Sequence, residues 1–300
     1  MLRTDLDHLP LAKRHELAEI VRILFAEFED ALAGRNAPHR KAGRILKVVL
    51  FGSYARGDWV VDAVGGYFSD YDILVVVNHD ELADLSEYWT AAEDHLLREQ
   101  AVAGRIRTPV NLIVHSLADI NRQLRRGRPF FTDIARDGIA LYEAPDHPLD
   151  PATPLSPAAA REEAREFWET WAPSAANFLT LAQQAHAASM PREAAFLLHQ
   201  ATERLYHCTL LVLTLYSPKS HKLNFLRSQA ERLAPALIEA WPRDTRFAQR
   251  SFELLRRAYV DARYSPHYRI SDEEIRWLTE RIRLLQLIVD EVCRRWLELR

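Results

Sequence analysis

The sequence predicts two unlike halves, an α/β domain over residues 1–142 and an all-α bundle over 158–300, joined by a proline-rich linker at 143–157. Three observations carry this reading. Short β-branched runs alternate with amphipathic stretches as far as Glu143, five prolines crowd the segment EAPDHPLDPATPLSP, and beyond it only helical periodicity remains. A chain of 300 residues with 48% hydrophobic side chains is long and apolar enough to bury a core in each half.

The elements follow in order. From Lys13 to Leu32 the residues Ile20, Leu24, Phe28 and Leu32 recur at four-residue steps with Val21 and Phe25 beside them, one apolar helical stripe that Gly34 ends. Ile45 to Phe51 is a β-branched run stopped by Gly52, and Ile73 to Val77 is a second, so both read as strands with covered faces. A helix fits Leu82 to Gln100, and PVNLIVHS, from Pro109 to Ser116, reads as a third strand. Phe130, Phe131 and Ile139 to Tyr142 close the first half as core and a short strand. The prolines of 143–157 continue neither a helix nor a central strand. After them come helices at Pro157 to about Ser189, Arg192 to Tyr216, His221 to Leu233, Thr245 to Arg263 and Asp272 to Leu299. Ser156 before Pro157, the Ser271/Glu274 capping box and Ser217-Pro218 mark their ends. In the last helix Ile275, Leu278, Ile282, Leu285, Val289, Val292 and Trp296 form one packed face.

Charge and composition narrow the function. A net charge of −3 from 39 basic and 42 acidic side chains excludes whole-molecule attraction to nucleic acid, so a polyanionic partner must bind a local patch. Cys208 and Cys293 lie in apolar helical patterns and read as buried free thiols. The first residues are charged throughout, and the longest apolar run, LYHCTLLVLTLY, is too short to span a bilayer; the expectation is a soluble cytoplasmic protein without a membrane partner.

The chemistry concentrates in residues 52–77. A strand running into Gly52-Ser53 and then a helix presents free backbone N–H groups and a hydroxyl to phosphate oxygens. Downstream, Asp70 and Asp72 stand two apart at the mouth of a strand, so their carboxylates point the same way. Two aligned carboxylates bind Mg²⁺, which bridges them to substrate phosphates, and a phosphate-holding turn beside such a pair describes nucleotidyl transfer. A solvated strand end and a plain turn are the alternatives for each feature taken alone. Together, Gly52, Ser53, Gly57, Asp70 and Asp72 resemble the signature of the DNA polymerase β-like nucleotidyltransferase superfamily, GS and a glycine followed by D-x-D. The resemblance implies a small mixed sheet, a nucleoside triphosphate substrate such as ATP held by Gly52, Ser53, Arg56 and Gly57, and Mg²⁺ on Asp70 and Asp72. The loop from Asp58 to Ser69, with Trp59, Tyr67 and Phe68, is expected to cover the nucleotide.

The same resemblance exposes a gap. Active members add a third carboxylate from a neighbouring strand, and here Asn111 stands at that place. Its amide oxygen can meet the metal, but it cannot serve as a general base. His115 shares its strand face and is a candidate base near neutral pH, the alternative being a satisfied strand end. Further on, Arg122, Arg125, Arg126 and Arg128 form a basic cluster that suits phosphates or RNA, or a solvated helix end.

In the second half the segments SPKSHKLNFL and AYVDARYSPHY resemble the HEPN family of helical bundles over most of residues 160–298, in the order in which the two domains are known to be fused. Ribonuclease members carry arginine, four to six residues, then histidine. Here Arg263 and His267 are three residues apart with Pro266 between them, which disfavours a HEPN ribonuclease. Arg257, Arg263, Tyr264 and His267 remain candidates for a phosphate or RNA surface, against the alternative of a solvated face. The sequence-level reading is therefore a Mg²⁺-dependent nucleotidyltransferase acting on a hydroxyl of RNA, protein or a small molecule, the domain pair implying a fused toxin–antitoxin module. The competing reading is a degenerate nucleotide- or RNA-binding protein, favoured by Asn111. A second copy of the chain, joined through the bundle, is among the expected partners.

Overall fold

The computed structural model describes residues 2–33, 37–62 and 67–298, and divides the chain into two compact units between Pro154 and Leu155. Gly34, the expected end of the first helix, and residues 63–66 of the loop ahead of Asp70 lie outside the described residues, as do the side chains of residues 61, 62, 67 and 68.

In the first unit α1 (Leu11–Leu32) and the short α2 (Pro38–Lys41) precede β1 (Ile45–Phe51), which runs directly into α3 (Gly52–Arg56). The two-residue strands β2 (Val61–Asp62) and β3 (Tyr67–Phe68) pair with each other, and β4 (Tyr71–Val77) follows. Next come α4 (Leu85–Tyr88), α5 (Thr90–Arg98), β5 (Val110–Ser116), α6 (Leu117–Arg125), α7 (Pro129–Asp137) and β6 (Ile139–Glu143). The sheet order is β5-β4-β1-β6, with β4 and β5 parallel and the other pairs antiparallel, so the sheet is small and mixed.

Alternation along the strands sorts the residues between two faces. Val48, Leu50, Ile73, Val75, Leu112 and Val114 share a buried cluster with Leu17, Ile20, Leu24 and Phe28 of α1 and with Ala92 and Leu96 of α5. Each such aliphatic side chain contributes about 1.5–3 kcal/mol on burial. The opposite face is covered by α7, where Phe130 meets Phe51 edge-on at 5.7 Å and Phe131 meets His115 at 5.2 Å. Lys47, fully buried in β1, is paired with Glu143 directly across the sheet on β6.

The expected single helix from Leu82 to Gln100 is instead broken into pieces. A 3₁₀ turn at Asp80–Ala83 precedes α4, α5 follows, and a π turn at Glu99–Ala103 ends the run. The cause is local hydrogen bonding that periodicity does not register. Asp84 Oδ1 accepts from the backbone N–H groups of Ser86 at 2.8 Å and Glu87 at 3.1 Å, starting a new helix there. The Trp89 indole, buried, donates to the Leu82 carbonyl at 2.8 Å and fixes the corner. Between Glu143, which ends β6, and Pro157, which starts α8, the proline-rich segment carries no helix or strand, but it is tied down: Asp150 N–H donates to Asn121 Oδ1 at 2.9 Å and Thr153 N–H to Leu124 O at 3.0 Å.

The second unit consists of α8 (Pro157–Ala187), α9 (Pro191–Thr214), α10 (Leu223–Leu233), α11 (Arg246–Tyr264) and α12 (Asp272–Glu298). Buried along most of its length, α9 is the central helix, against which the other four pack. Its internal threonines are satisfied within the helix, Thr202, Thr209 and Thr214 donating to carbonyls four residues back at 2.9, 3.0 and 2.7 Å. On α12, Ile275, Leu278, Ile282, Leu285, Val289 and Cys293 are buried, with Val292 and Trp296 at the edge of the same core. Caps define the ends. Ser156 Oγ accepts from Ala159 N–H at 3.2 Å, and Ser271 and Glu274 exchange hydrogen bonds at 2.8 and 3.2 Å. Cys208 and Cys293 are buried free thiols. No helix among the described residues is long and apolar enough to cross a membrane.

Candidate functional site

β1 delivers the chain to Gly52, whose φ of 74° lies in the left-handed region open to glycine, and α3 starts at that residue without a side-chain cap. The first amides of α3 therefore keep their donors, and Ser53 stands half-buried among them. Gly57, at φ 86°, closes the turn by donating its N–H to Ser53 O at 2.9 Å. Arg56 is exposed and bonded to Asp58 at 3.2 and 3.3 Å.

The two carboxylates arrive from β4. Asp70 immediately precedes the strand, and Asp72 pairs in register with Phe51 of β1 on one side and Asn111 of β5 on the other. The residue after Phe51 is Gly52, so the carboxylates and the phosphate-holding turn meet at one end of the sheet. Asn111 bridges them: its Nδ2 donates to Asp70 Oδ2 at 3.1 Å and to Asp72 Oδ1 at 3.2 Å. Asp72 is 4% exposed. Burial pushes the Asp70 carboxyl up to about 6, the Asn111 hydrogen bond opposes the rise, and the negative charge of Asp72 adds to it.

This donor set fits Mg²⁺. Two hard carboxylate oxygens converge where burial makes their shared charge costly, a cost that a divalent cation reverses. Asn111 presents its amide nitrogen to both carboxylates and would have to turn its amide to offer Oδ1. Among the described residues no group of three or more His, Cys, Asp or Glu side chains is placed to hold a metal ion, so the pair with Asn111 is what the fold offers.

A stability prediction follows from the raised Asp70. The folded state binds this proton more tightly than the unfolded chain, so the penalty is absent below the unfolded value near 3.8 and fully present above about 6. In chelator at pH 7.5, Asp70→Asn is expected to raise stability by about 1–3 kcal/mol, and at pH 4 to change it little. Thermal melts of both proteins at the two pH values check this.

His115 shares the face of Asn111 but stands four residues along β5, about 13 Å away at the usual strand rise. The structure does not bring it to the carboxylates. Its Nδ1 meets Asp119 Oδ2 at 2.7 Å and holds that carboxyl well below the usual range. In the loop ahead of Asp70, Trp59 stacks on Tyr54 at 5.3 Å and 8°. Of the basic cluster after β5, Arg122 is paired with Asp119 and Arg125 with Asp150. Arg128, by contrast, is buried at the start of α7.

In the helical unit α11 ends at Tyr264, ahead of Pro266, so Arg263 sits on the last helical turn and His267 in the turn beyond it. The Arg263 guanidinium lies 4.4 Å from the Tyr259 ring, 5.0 Å from Tyr264 and 5.1 Å from Phe196, while Tyr264 is 73% exposed. Arg257 is ion-paired with Asp261 at 2.5 Å. Sequence reasoning missed the neighbouring carboxylate. Glu203 is buried on α9 with His221 Nδ1 at 3.0 Å, His199 Nδ1 at 3.6 Å and His207 Nε2 at 3.9 Å, and His221 stacks on Tyr259 at 4.3 Å. Burial raises the Glu203 carboxyl and lowers His199 to about 3 and His207 to about 4. The four-residue steps His199, Glu203, His207 were the available signal, hidden in a helix that reads as core.

Comparison with known proteins agrees with both units. A nucleotidyltransferase domain model matches residues 36–102, a span that contains Gly52, Ser53, Asp70 and Asp72 and ends before Asn111. A HEPN domain model matches residues 168–292. A protein of Methanocaldococcus jannaschii, described provisionally as a protein adenylyltransferase, is 33% identical over 118 residues, 39% of this chain and 92% of that protein.

Proposed function

We propose that this chain, which belongs to the nucleotidyltransferase domain family and carries a HEPN domain after it, transfers the nucleotidyl group of a nucleoside triphosphate, ATP foremost, to a hydroxyl acceptor in a Mg²⁺-dependent reaction. The observation that carries the reading is the placement of the half-buried Asp70 and buried Asp72 beside the Gly52-Ser53 turn, through the Phe51–Asp72 register. In this reading the α3 amides and the Ser53 hydroxyl hold triphosphate oxygens, and Asp70 and Asp72 hold the metal. Bound there, Mg²⁺ supplies charge neutralisation on the triphosphate. Asn111 keeps the two carboxylates in register but accepts no proton, so the acceptor hydroxyl passes its proton to solvent water rather than to a base at that position, and transfer is slow.

The description of the archaeal relative favours a protein hydroxyl as acceptor, with RNA and small molecules as the other candidates. The domain order supports a fused toxin–antitoxin module in which the first unit modifies the HEPN unit. Asn111 favours a second reading, nucleotide binding without turnover. Incubation of the full chain with Mg²⁺ and ATP labelled at the α- or the γ-phosphate separates the two. Covalent retention of the α-label, with the γ-label leaving as pyrophosphate, is expected; retention of neither label, with ATP still bound, leaves the binding reading.

A further inference from the structure

The residues of the candidate site sit on three chain segments, and their mutual placement depends on what holds those segments together. On the face of the sheet turned away from the carboxylates, one side chain reaches all three. Lys13, on α1, donates from Nζ to Thr108 Oγ1, and the same ammonium lies 5.8 Å from the Tyr54 ring and 5.7 Å from the Tyr71 ring. Tyr54 follows Ser53, Tyr71 stands between Asp70 and Asp72, and Thr108 stands three residues before Asn111. The segments also touch directly: the Tyr54 and Tyr71 rings are 4.5 Å apart, and Tyr71 N–H donates to Pro109 O at 2.8 Å.

The setting is enclosed. Tyr71, Tyr54, Thr108 and Glu16 are buried, and Glu16 Oε2 lies 3.5 Å from Lys13 Nζ as its countercharge. Holding a lysine half-buried over two rings costs desolvation and rotamer freedom, and an apolar side chain of the same length would leave the buried Glu16 without its countercharge. What the apolar side chain lacks is a directed donor for Thr108 and a cation for the two rings. The arrangement therefore fixes relative position as well as balancing the Glu16 charge.

We propose that Lys13 is a positioning residue for nucleotidyl transfer, holding the Ser53, Asp70/Asp72 and Asn111 segments in their reactive register from behind the sheet. The inference rests on the reading of that site given above. In the full chain, Lys13→Met is expected to lower the thermal midpoint, because the buried Glu16 loses its countercharge, and, assayed where both proteins are fully folded, to lower kcat about 10- to 100-fold, since misplacement by an ångström costs on that order, with KM for Mg-ATP within about threefold of the parent. Lys13→Arg, which keeps a cation and a donor, is expected to recover most of the loss. Thr108→Val combined with Lys13→Met is expected to cost less than the product of the two single losses, because both remove the Lys13–Thr108 hydrogen bond. Parental kcat in Lys13→Met, or a loss matching a fall in folded fraction that Lys13→Arg does not relieve, overturns the inference alone. A parent chain that transfers nothing in the same assay overturns the reading of the site and this inference with it.

Discussion

Exchanging Asp70 and Asp72 together for asparagine is expected to reduce nucleotidyl transfer by about 10³-fold or more, the order associated with removing the groups that stabilise transition-state charge. Both carboxylates are the proposed metal ligands, and among the described residues no group of three acidic, histidine or cysteine side chains offers a substitute site. Misfolding does not supply a competing explanation. Asp70 is held in a site that disfavours its charge, so its neutralisation is expected to stabilise the chelated protein while activity is lost. Opposite movements of melting temperature and rate separate a functional from a structural role. Retention of parental transfer by the double variant places the metal elsewhere.

Asn111→Asp is expected to move activity the other way. In the present structure Asn111 donates to both carboxylates and relieves their repulsion. An aspartate there removes the donors and adds a third negative charge, which costs stability without a cation and strengthens the hold on one. A general base typically contributes about 10²–10⁴-fold, so transfer is expected to rise at least tenfold. The melting temperature of the variant is expected to become strongly dependent on Mg²⁺, because binding to the folded state alone adds to its stability by mass action. Labelled-ATP incorporation and melts with and without Mg²⁺ measure both. Fast transfer by the parent, unaltered in Asn111→Asp, excludes the missing carboxylate as the limiting feature.

Much of the architecture is legible in the residues. The β-branched runs at Ile45–Phe51 and Val110–Ser116 become strands, and the Ser271/Glu274 box opens α12 as written. Near the site, the two-residue step from Asp70 to Asp72 places both carboxylates within reach of one amide, as alternation requires. The limits are equally physical. Alternation says which face His115 takes but not how far along the strand it lies from the site, and the strand rise separates it from Asn111 by about 13 Å. Caps such as Asp84 break a helix whose apolar spacing continues through the break. Glu203 and its histidines occupy positions that periodicity assigns to core, because burial is visible in a sequence and pairing across helices is not. Lys13 is an ordinary helix-surface lysine until the fold brings Thr108, 95 residues away in sequence, to its ammonium.

In the proposed function the Gly52-Ser53 turn and the Asp70/Asp72 pair form one nucleotide site that works through Mg²⁺. Calorimetric titration of the full chain with ATP, in Mg²⁺ and then in excess chelator, reads that site out. Saturable one-site binding is expected in Mg²⁺, weakening at least tenfold in chelator and lost in the Asp70→Asn/Asp72→Asn variant. Binding of equal strength with and without Mg²⁺, or undiminished in that variant, would contradict it.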